Sequence, residues 1–270
     1  MAYFTIYKHD DDLYQIGDAL GSLISILIGK DKALVLDTGY GIANIYEEVR
    51  KITSLPLLVI NSHGHMDHTG GNYLFDEVFI HSKDYELVKK HNSSEWRKRN
   101  IISAKNGNKL PNDFNEKNYL EKREGNLRFL DDIKSFDLGG KTLEVITTPG
   151  HTAGSISLYC KEKKIMITSD AICQYVWLFL AESTSVKDYI NSVEKVLQYD
   201  FDYFLVGHGA RLIKKQTMEE YLECAKNLDL SKAKRVTFNN FEDCDSYEYS
   251  TDYLYSSNGC GIVFDKNKIK

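Results

Sequence analysis

The segment from Ile60 to Gly71 reads INSHGHMDHTGG and gathers His63, His65, Asp67 and His68 on one short stretch of a chain with 8 histidines in all. Imidazole and carboxylate are ligands that zinc and iron accept, and a divalent site needs several of them converging. His63 and His65 are two apart, so on an extended loop both rings can turn toward one ion. Asp67 and His68 are adjacent and suit a second ion a few ångströms away, while Gly64, Gly70 and Gly71 supply tight backbone. Three later segments carry residues of the same kind: His151 in TTPGHTAGS, Asp170 in ITSDA and His208 in FLVGHG. A polar loop of solvated imidazoles would account for the first cluster alone, but not for four segments that each follow an apolar run.

Those apolar runs are the elements that must position the ligands. Leu23–Ile28 and Ala33–Leu36 read as strands around a Gly29–Lys32 turn, and Ile42 to Ile52 has helical spacing. Pro56 then breaks the chain before the strand Leu57–Ile60, which delivers the histidine cluster at its C-terminal end, where sites of layered α/β proteins are commonly built. Val78–Ile80 is a further strand, and Ser82 is read as the cap of a helix running to His91. Strands at Leu143–Thr147, Lys164–Thr168 and Phe204–Val206 lead to His151, Asp170 and His208. Ser155–Cys160 is another strand, Val186–Leu197 and Met218–Leu228 read as amphipathic helices, and GIVFD reads as a final strand. The order repeats loosely, as two similar halves would.

Composition bounds the rest. At 270 residues, 42% hydrophobic and 27% charged, the chain is an ordinary globular protein, and its net charge of −5 argues against a nucleic-acid partner. The longest nearly apolar run, Ala171 to Ala181, is too short for a bilayer span. The opening MAYFTIYKHDDD lacks the regions of a secretory signal, and 5 cysteines without a C-x-x-C suggest neither a zinc knuckle nor a disulfide framework. The expectation is a cytoplasmic protein without a membrane or nucleic-acid partner, whose self-association as a homo-oligomer stays open.

The pattern H-x-H-x-D-H, a lone histidine after T-P-G, an aspartate after a strand and then G-H resembles the ligand signature of the metallo-β-lactamase fold superfamily across roughly residues 20 to 210. The resemblance implies an α/β (α+β) fold, a four-layer αββα sandwich with metals at one edge of two sheets. It implies one domain over 1–270, with an insert at 92–126 and a C-terminal extension at 211–270. It also implies that His63, His65 and His151 hold one metal and that Asp67, His68 and His208 hold a second. Asp170 then bridges both, and Asp37 of VLDTG buttresses the ligand loop. His9, His81 and His91 lie outside the pattern and are assigned surface or packing roles.

Two Zn²⁺ per chain are expected, with iron or manganese acceptable to the same ligands. Such a pair supplies a bridging hydroxide for hydrolysis, with Asp67 orienting or shuttling the proton. Departures from named branches narrow the substrate. True metallo-β-lactamases lack the bridging aspartate, and the G-C-G-R/K element of glyoxalase II and persulfide dioxygenases does not follow Asp170. Homoserine-lactone lactonases carry a tyrosine where Cys173 stands, with Tyr175 nearby. Ribonuclease Z-like enzymes carry a tRNA-binding arm that is not evident here, and flavodiiron proteins have glutamate where this chain has His65. The reading is a hydrolase of a small ester, thioester or lactone. The alternatives are a mononuclear iron oxygenase, a phosphodiesterase on the same ligands, or a non-catalytic zinc module. Tyr175 and Trp177 are candidate substrate contacts. The run Val176–Leu180 suits either an acyl pocket or plain core or a subunit interface. The segment 92–126, dense in charge with Arg97, Lys98 and Arg99, reads either as a solvated helical connector or as a cover over the metal groove that takes an anionic substrate.

Overall fold

The structure is a computed structural model that describes residues 2–238 and 241–270. Period-two alternation along its apolar strands sets the layering. In Ala33–Leu36, Leu34 and Leu36 enter one core while Val35 enters another, and Leu58 and Ile60 likewise part from Val59. Such strands need cover on both faces.

A seven-stranded sheet takes the strands in chain order: β1 (Phe4–Lys8), β2 (Leu13–Asp18), β3 (Leu23–Ile28), β4 (Ala33–Leu36), β5 (Leu57–Ile60), β6 (Val78–Ile80) and β7 (Leu127–Phe129). β4 and β5 are parallel, joined by helix α1 (Ile45–Ile52), whose Ile45 and Val49 pack on the outer face with Ile26 and Val35. Between β5 and β7 lie α2 (Met66–Thr69), α3 (Tyr85–His91), α4 (Ser94–Asn106) and α5 (Glu116–Glu121).

A second sheet contains β8 (Ser135–Asp137), β9 (Thr142–Thr147), β10 (Ile156–Cys160) and β11 (Ile165–Ile167). β12 (Tyr175–Leu178) leaves it to begin a third sheet, and β13 (Tyr203–Leu205) and β14 (Ile213–Lys214) return. β11 and β13 are parallel, joined by α6 (Val186–Leu197), which starts in a capping box: Asp188 N donates to Ser185 Oγ at 3.0 Å and Ser185 N to Asp188 Oδ2 at 3.1 Å. Both large sheets therefore contain a strand–helix–parallel strand unit. Leu158, Cys160, Ile165 and Ile167 face Leu34, Leu36, Leu58 and Ile60 between the sheets. Tyr159, Met166 and Phe204 point outward against α6 and α7 (Lys215–Lys226). The layers are thus helix, sheet, sheet, helix, as expected for the αββα sandwich.

The third sheet is made by the C-terminal segment: β15 (Lys234–Val236), β16 (Ser246–Ser250) and β17 (Gly261–Phe264), with β17 parallel to β12. GIVFD is a strand, as read, and its partner is the strand just after Asp170. Two local expectations are corrected, and a third gains detail. Ser82 does not cap a helix: it starts a short 3₁₀ turn, and its hydroxyl donates to Asp131. The first helix begins at Ile45, capped by Asn44, because Gly41 adopts φ +66° and the chain is still turning there. Segment 92–126 contains the continuous helix α4, capped by Ser93; its weak apolar periodicity reflects a buried arginine. Among the described residues, no helix is long and apolar enough to cross a membrane.

Leu158 is fully buried between the two sheets. Leu158→Ala should lower unfolding free energy by about 2–5 kcal/mol. Denaturant titration at fixed metal concentration checks this, and a loss below about 1 kcal/mol would mean that the inter-sheet layer collapses around the void.

Candidate metal centre

The parallel strands end together at one edge, and each releases a polar residue there. Asp37 follows β4, the His63–His68 cluster follows β5, Asp170 follows β11 and His208 follows β13. His151 arrives from β9 on the Pro149–Gly150 turn. The cluster loop closes into α2, so Asp67 and His68 sit on its first turns while His65 is its N-cap.

Two groups result. The ring nitrogens of His63, His65 and His151 converge: His63 Nε2 lies 3.1 Å from His65 Nδ1, and His151 Nε2 lies 2.9 Å from it. The second group joins Asp67, His68, Asp170 and His208. Asp67 Oδ2 is 3.3 Å from His68 Nε2 and 3.4 Å from His208 Nε2. Asp170 Oδ2 lies 3.5 Å from His68 Nε2, 3.3 Å from His208 Nε2 and 3.8 Å from His151 Nε2, so one oxygen stands between the groups. Ligand atoms about 2.0–2.1 Å from a tetrahedral zinc are about 3.3 Å from one another, so these separations fit a divalent ion.

The outer nitrogens decide what the inner ones offer. His65 Nε2 meets Glu182 Oε1 at 2.8 Å, His68 Nδ1 meets Asp37 Oδ2 at 2.9 Å, His151 Nδ1 meets Trp177 O at 2.8 Å and His208 Nδ1 meets Gly21 O at 2.9 Å. Each partner only accepts, so each outer nitrogen carries the proton. Ser62 Oγ donates to Asp37 Oδ2 at 2.8 Å, leaving it to accept from His63 Nδ1 at 3.0 Å. In the neutral tautomers all five rings therefore turn a lone pair inward. His68 Nε2 and Asp170 Oδ1 are buried with no hydrogen-bond partner, which is costly without a cation.

Electrostatics separates the groups. Burial, reinforced by the surrounding imidazoles, holds His63 well below the ordinary histidine range and brings His151 down to about 4. Burial also works against charge on His68, but Asp67 and Asp170 outweigh it; the same two carboxylates hold the half-exposed His208 above that range as well. For Asp67 and Asp170 burial works to raise the carboxyls, and the same two histidines outweigh it and hold them low. In the first group His63 and His151 are kept neutral, and the second is two carboxylates held by two protons that a dication displaces.

Two of the supports, Asp37 and Asp84, are buried. Asp37, at φ +72°, accepts from Ser62 N at 2.7 Å and from Ser169 Oγ at 3.0 Å, besides Ser62 Oγ and His68. Asp84, invisible as a site residue in the sequence, accepts from Gly64 N and Gly154 N, both at 2.8 Å, and from Thr152 Oγ1 at 2.6 Å, strapping the His63 loop to the His151 loop. At Gly207 a side chain would put its Cβ 2.2 Å from Asp170 Oδ1, which explains the glycine of FLVGHG. Glu182, which follows the apolar run after Asp170, gave no signal in the sequence; burial opposes its charge, yet His65 holds it down to about 2.

A cavity of about 800 Å³ opens over both groups. Tyr175 and Trp177 line it, while Val176 and Leu178 turn into the core, so the alternation of β12 divides the run between pocket and core. The Tyr175 hydroxyl donates to the carbonyls of Tyr253 at 2.9 Å and Ser256 at 3.0 Å, so the ring rather than the hydroxyl faces the cavity. Phe241 and Tyr255 complete that wall from the C-terminal segment. Trp96, Arg99 and Asn100 of α4 also line the cavity.

One assignment narrows to its packing alternative and one changes. His91 is no surface residue: it lines the cavity and stacks on His65 with ring centres 5.2 Å apart and on Trp96 at 3.8 Å, and burial brings it down to about 3. Arg97 does not face a substrate. It is fully buried, donates to Asn92 Oδ1 at 2.8 Å and Gly70 O at 3.1 Å, and lies over the Tyr119 ring, so its charge braces the ligand loop from behind. Lys98 is exposed. His9 pairs with Gln15 at 3.0 Å, and His81 packs beside Asp131.

Comparison with known proteins agrees with this fold. The sequence profile of the metallo-beta-lactamase superfamily matches residues 17–208. The acyl-coenzyme A thioesterase MBLAC2 of Homo sapiens is 25% identical over 209 residues, covering 72% of each chain. A probable metallo-hydrolase of Methanocaldococcus jannaschii, MJ0888, is 30% identical over 196 residues, covering 68% of this chain and 85% of its own. Among solved structures, a metallo-beta-lactamase from Pontibacter korlensis is similar in fold, with TM-score 0.57, 19% identity and coverage of 83% of this chain and 100% of its own. The sec-alkylsulfatase Pisa1 from Pseudomonas sp. has TM-score 0.61 and 16% identity over 83% of this chain and 41% of its own. With the fold, the histidine and aspartate cluster and the sequence match in agreement, the chain belongs to the metallo-beta-lactamase superfamily and is a metal-dependent hydrolase.

Proposed function

We propose that the chain hydrolyses an acyl thioester at a dinuclear centre. His63, His65 and His151 hold one divalent ion, Asp67, His68 and His208 hold the other, and Asp170 holds both. The observation that carries this is the position of Asp170 Oδ2, within 3.8 Å of inward ring nitrogens of both groups. Zinc suits the nitrogen and oxygen donors, and iron or manganese is accepted by the same set. Bound there, such ions activate water at neutral pH and polarise the oxygen of the group attacked. A mononuclear oxygenase would leave Asp67, His68 and His208 without a task, which favours the hydrolase.

The thioester reading is supported by the relative named as an acyl-coenzyme A thioesterase and by the cavity. Its volume suits a small-molecule substrate. Trp177, Tyr175 and Tyr255 offer ring faces and edges to an acyl chain, with Trp177 Nε1 tied to Tyr255 Oη at 3.0 Å. The lactone alternative loses support because the Tyr175 proton is committed to backbone carbonyls. Asp67, set in the cavity wall, would orient the attacking water by accepting a hydrogen bond from it. A thiol ionises near pH 8.5, so the leaving sulfur departs without a strong acid. Trp96, Arg99 and Asn100 of α4 narrow the access.

Metal-loaded protein assayed on an acyl-coenzyme A, a neutral aryl ester, a lactone and a phosphodiester should turn over the thioester fastest. Preference for the lactone or the phosphodiester would overturn the substrate class. Asp170→Ala should lower thioester turnover by about a thousandfold or more with the circular dichroism spectrum retained. Asp37→Ala strands four donors and should weaken metal binding about 10–100-fold in competition with a chelator. Unchanged affinity would remove Asp37 from the account.

A further inference from the structure

Two arginines reach the cavity wall, and they differ in how far their charge is already matched. Arg99 donates to Glu95 at 2.9 Å and lies 4.8 Å over the Trp96 ring. Arg211 pairs with no carboxylate among the described residues; its Nη2 donates to the neutral amide oxygen of Gln174 at 3.1 Å. That amide cannot be reversed. Gln174 Nε2 donates to Gly259 O at 2.6 Å and Ser256 O at 3.0 Å, both of which only accept, so the oxygen is the atom turned to Arg211. The backbone is fixed as well: Gly209 turns at φ +101°, and Arg211 N donates to Gly209 O at 2.9 Å.

The two carboxylates that line the cavity, and Glu182 outside its lining, already have histidine partners. Asp67 and Asp170 face His68 and His208, and Glu182 faces His65. The guanidinium of this exposed residue is thus braced by a group that contributes no charge, in the wall that also holds Asp170 and His208, and its other donors are not committed to the described residues. Guanidinium forks match carboxylate and phosphate oxygens in pairs.

We propose that Arg211 is the anion-binding residue of the cavity, receiving a phosphate or carboxylate of the substrate, and that Gln174 is its positioning residue. The choice of substrates for testing rests on the thioester reading. Gln174 is itself held by Ser256 and Gly259, which lie beyond the residues matched by the family profile, so the C-terminal segment sets the preference for charged substrates.

Metal-loaded wild type and Arg211→Gln are compared on three thioesters of similar acyl length. One is of coenzyme A, one of pantetheine without phosphates, and one of pantetheine with a dicarboxylic acid. The substitution should raise KM for an anionic thioester about tenfold more than for the uncharged one. The coenzyme A arm assigns a phosphate, and the dicarboxylic arm assigns a carboxylate. Gln174→Leu should shift the same KM ratio in the same direction by a smaller factor, which loss of folded protein alone would not do. Equal changes across the three substrates overturn the proposal. Should none of them turn over, the thioester reading falls separately. Titration of adenosine 3′,5′-bisphosphate and of succinate into both proteins then decides the subsite: about tenfold tighter binding of either to wild type supports it, and equal affinity overturns it.

Discussion

The site depends on one buried carboxylate. Asp37 accepts hydrogen bonds from Ser62 backbone and side chain, from His68 Nδ1 and from Ser169 Oγ, and it is 1% exposed. These donors follow β5 and β11, strands of different sheets, while Asp37 itself follows β4. A single side chain therefore ties three strand ends across the sandwich and fixes the tautomer of a candidate ligand. Asp37 and Ser169 both hold positive φ, at +72° and +48°, a conformation that neither would keep without this network.

Around that tie, the rest of the edge is built to keep lone pairs pointing inward. Asp84 straps the two histidine loops together, and Glu182, Trp177 O and Gly21 O hold the outer nitrogens of three rings. An inward imidazole nitrogen and a carboxylate oxygen that are buried without partners, as His68 Nε2 and Asp170 Oδ1 are, make a costly arrangement. The same arrangement becomes favourable once a dication takes the inward lone pairs, so metal binding and folding are coupled at this edge.

The convergence of the seven candidate ligands was legible in the sequence because each follows an apolar strand, and such ends meet in a layered α/β sandwich. Asp37 was legible from its place in VLDTG. Residues whose role comes from distant partners were not. Glu182 meets His65 across 117 positions and Asp84 meets Gly154 across 70, and no local pattern encodes either contact. Arg97 read as a surface charge because neighbouring residues are polar, yet its helix turns it inward toward Gly70 and the Tyr119 face. His91 fell outside the ligand pattern, although its stacking on His65 makes it part of the same wall. The C-terminal segment read as a tail with one strand; that β17 pairs in parallel with β12, and so builds the cavity wall, follows from topology alone.

The most direct measurement is a crystal structure of the metal-loaded protein with anomalous scattering recorded at the metal edge. The account predicts two peaks bridged by Asp170, one within ligand distance of His63, His65 and His151, the other of Asp67, His68 and His208. A single peak, or two peaks with Asp170 turned away from both, would contradict it.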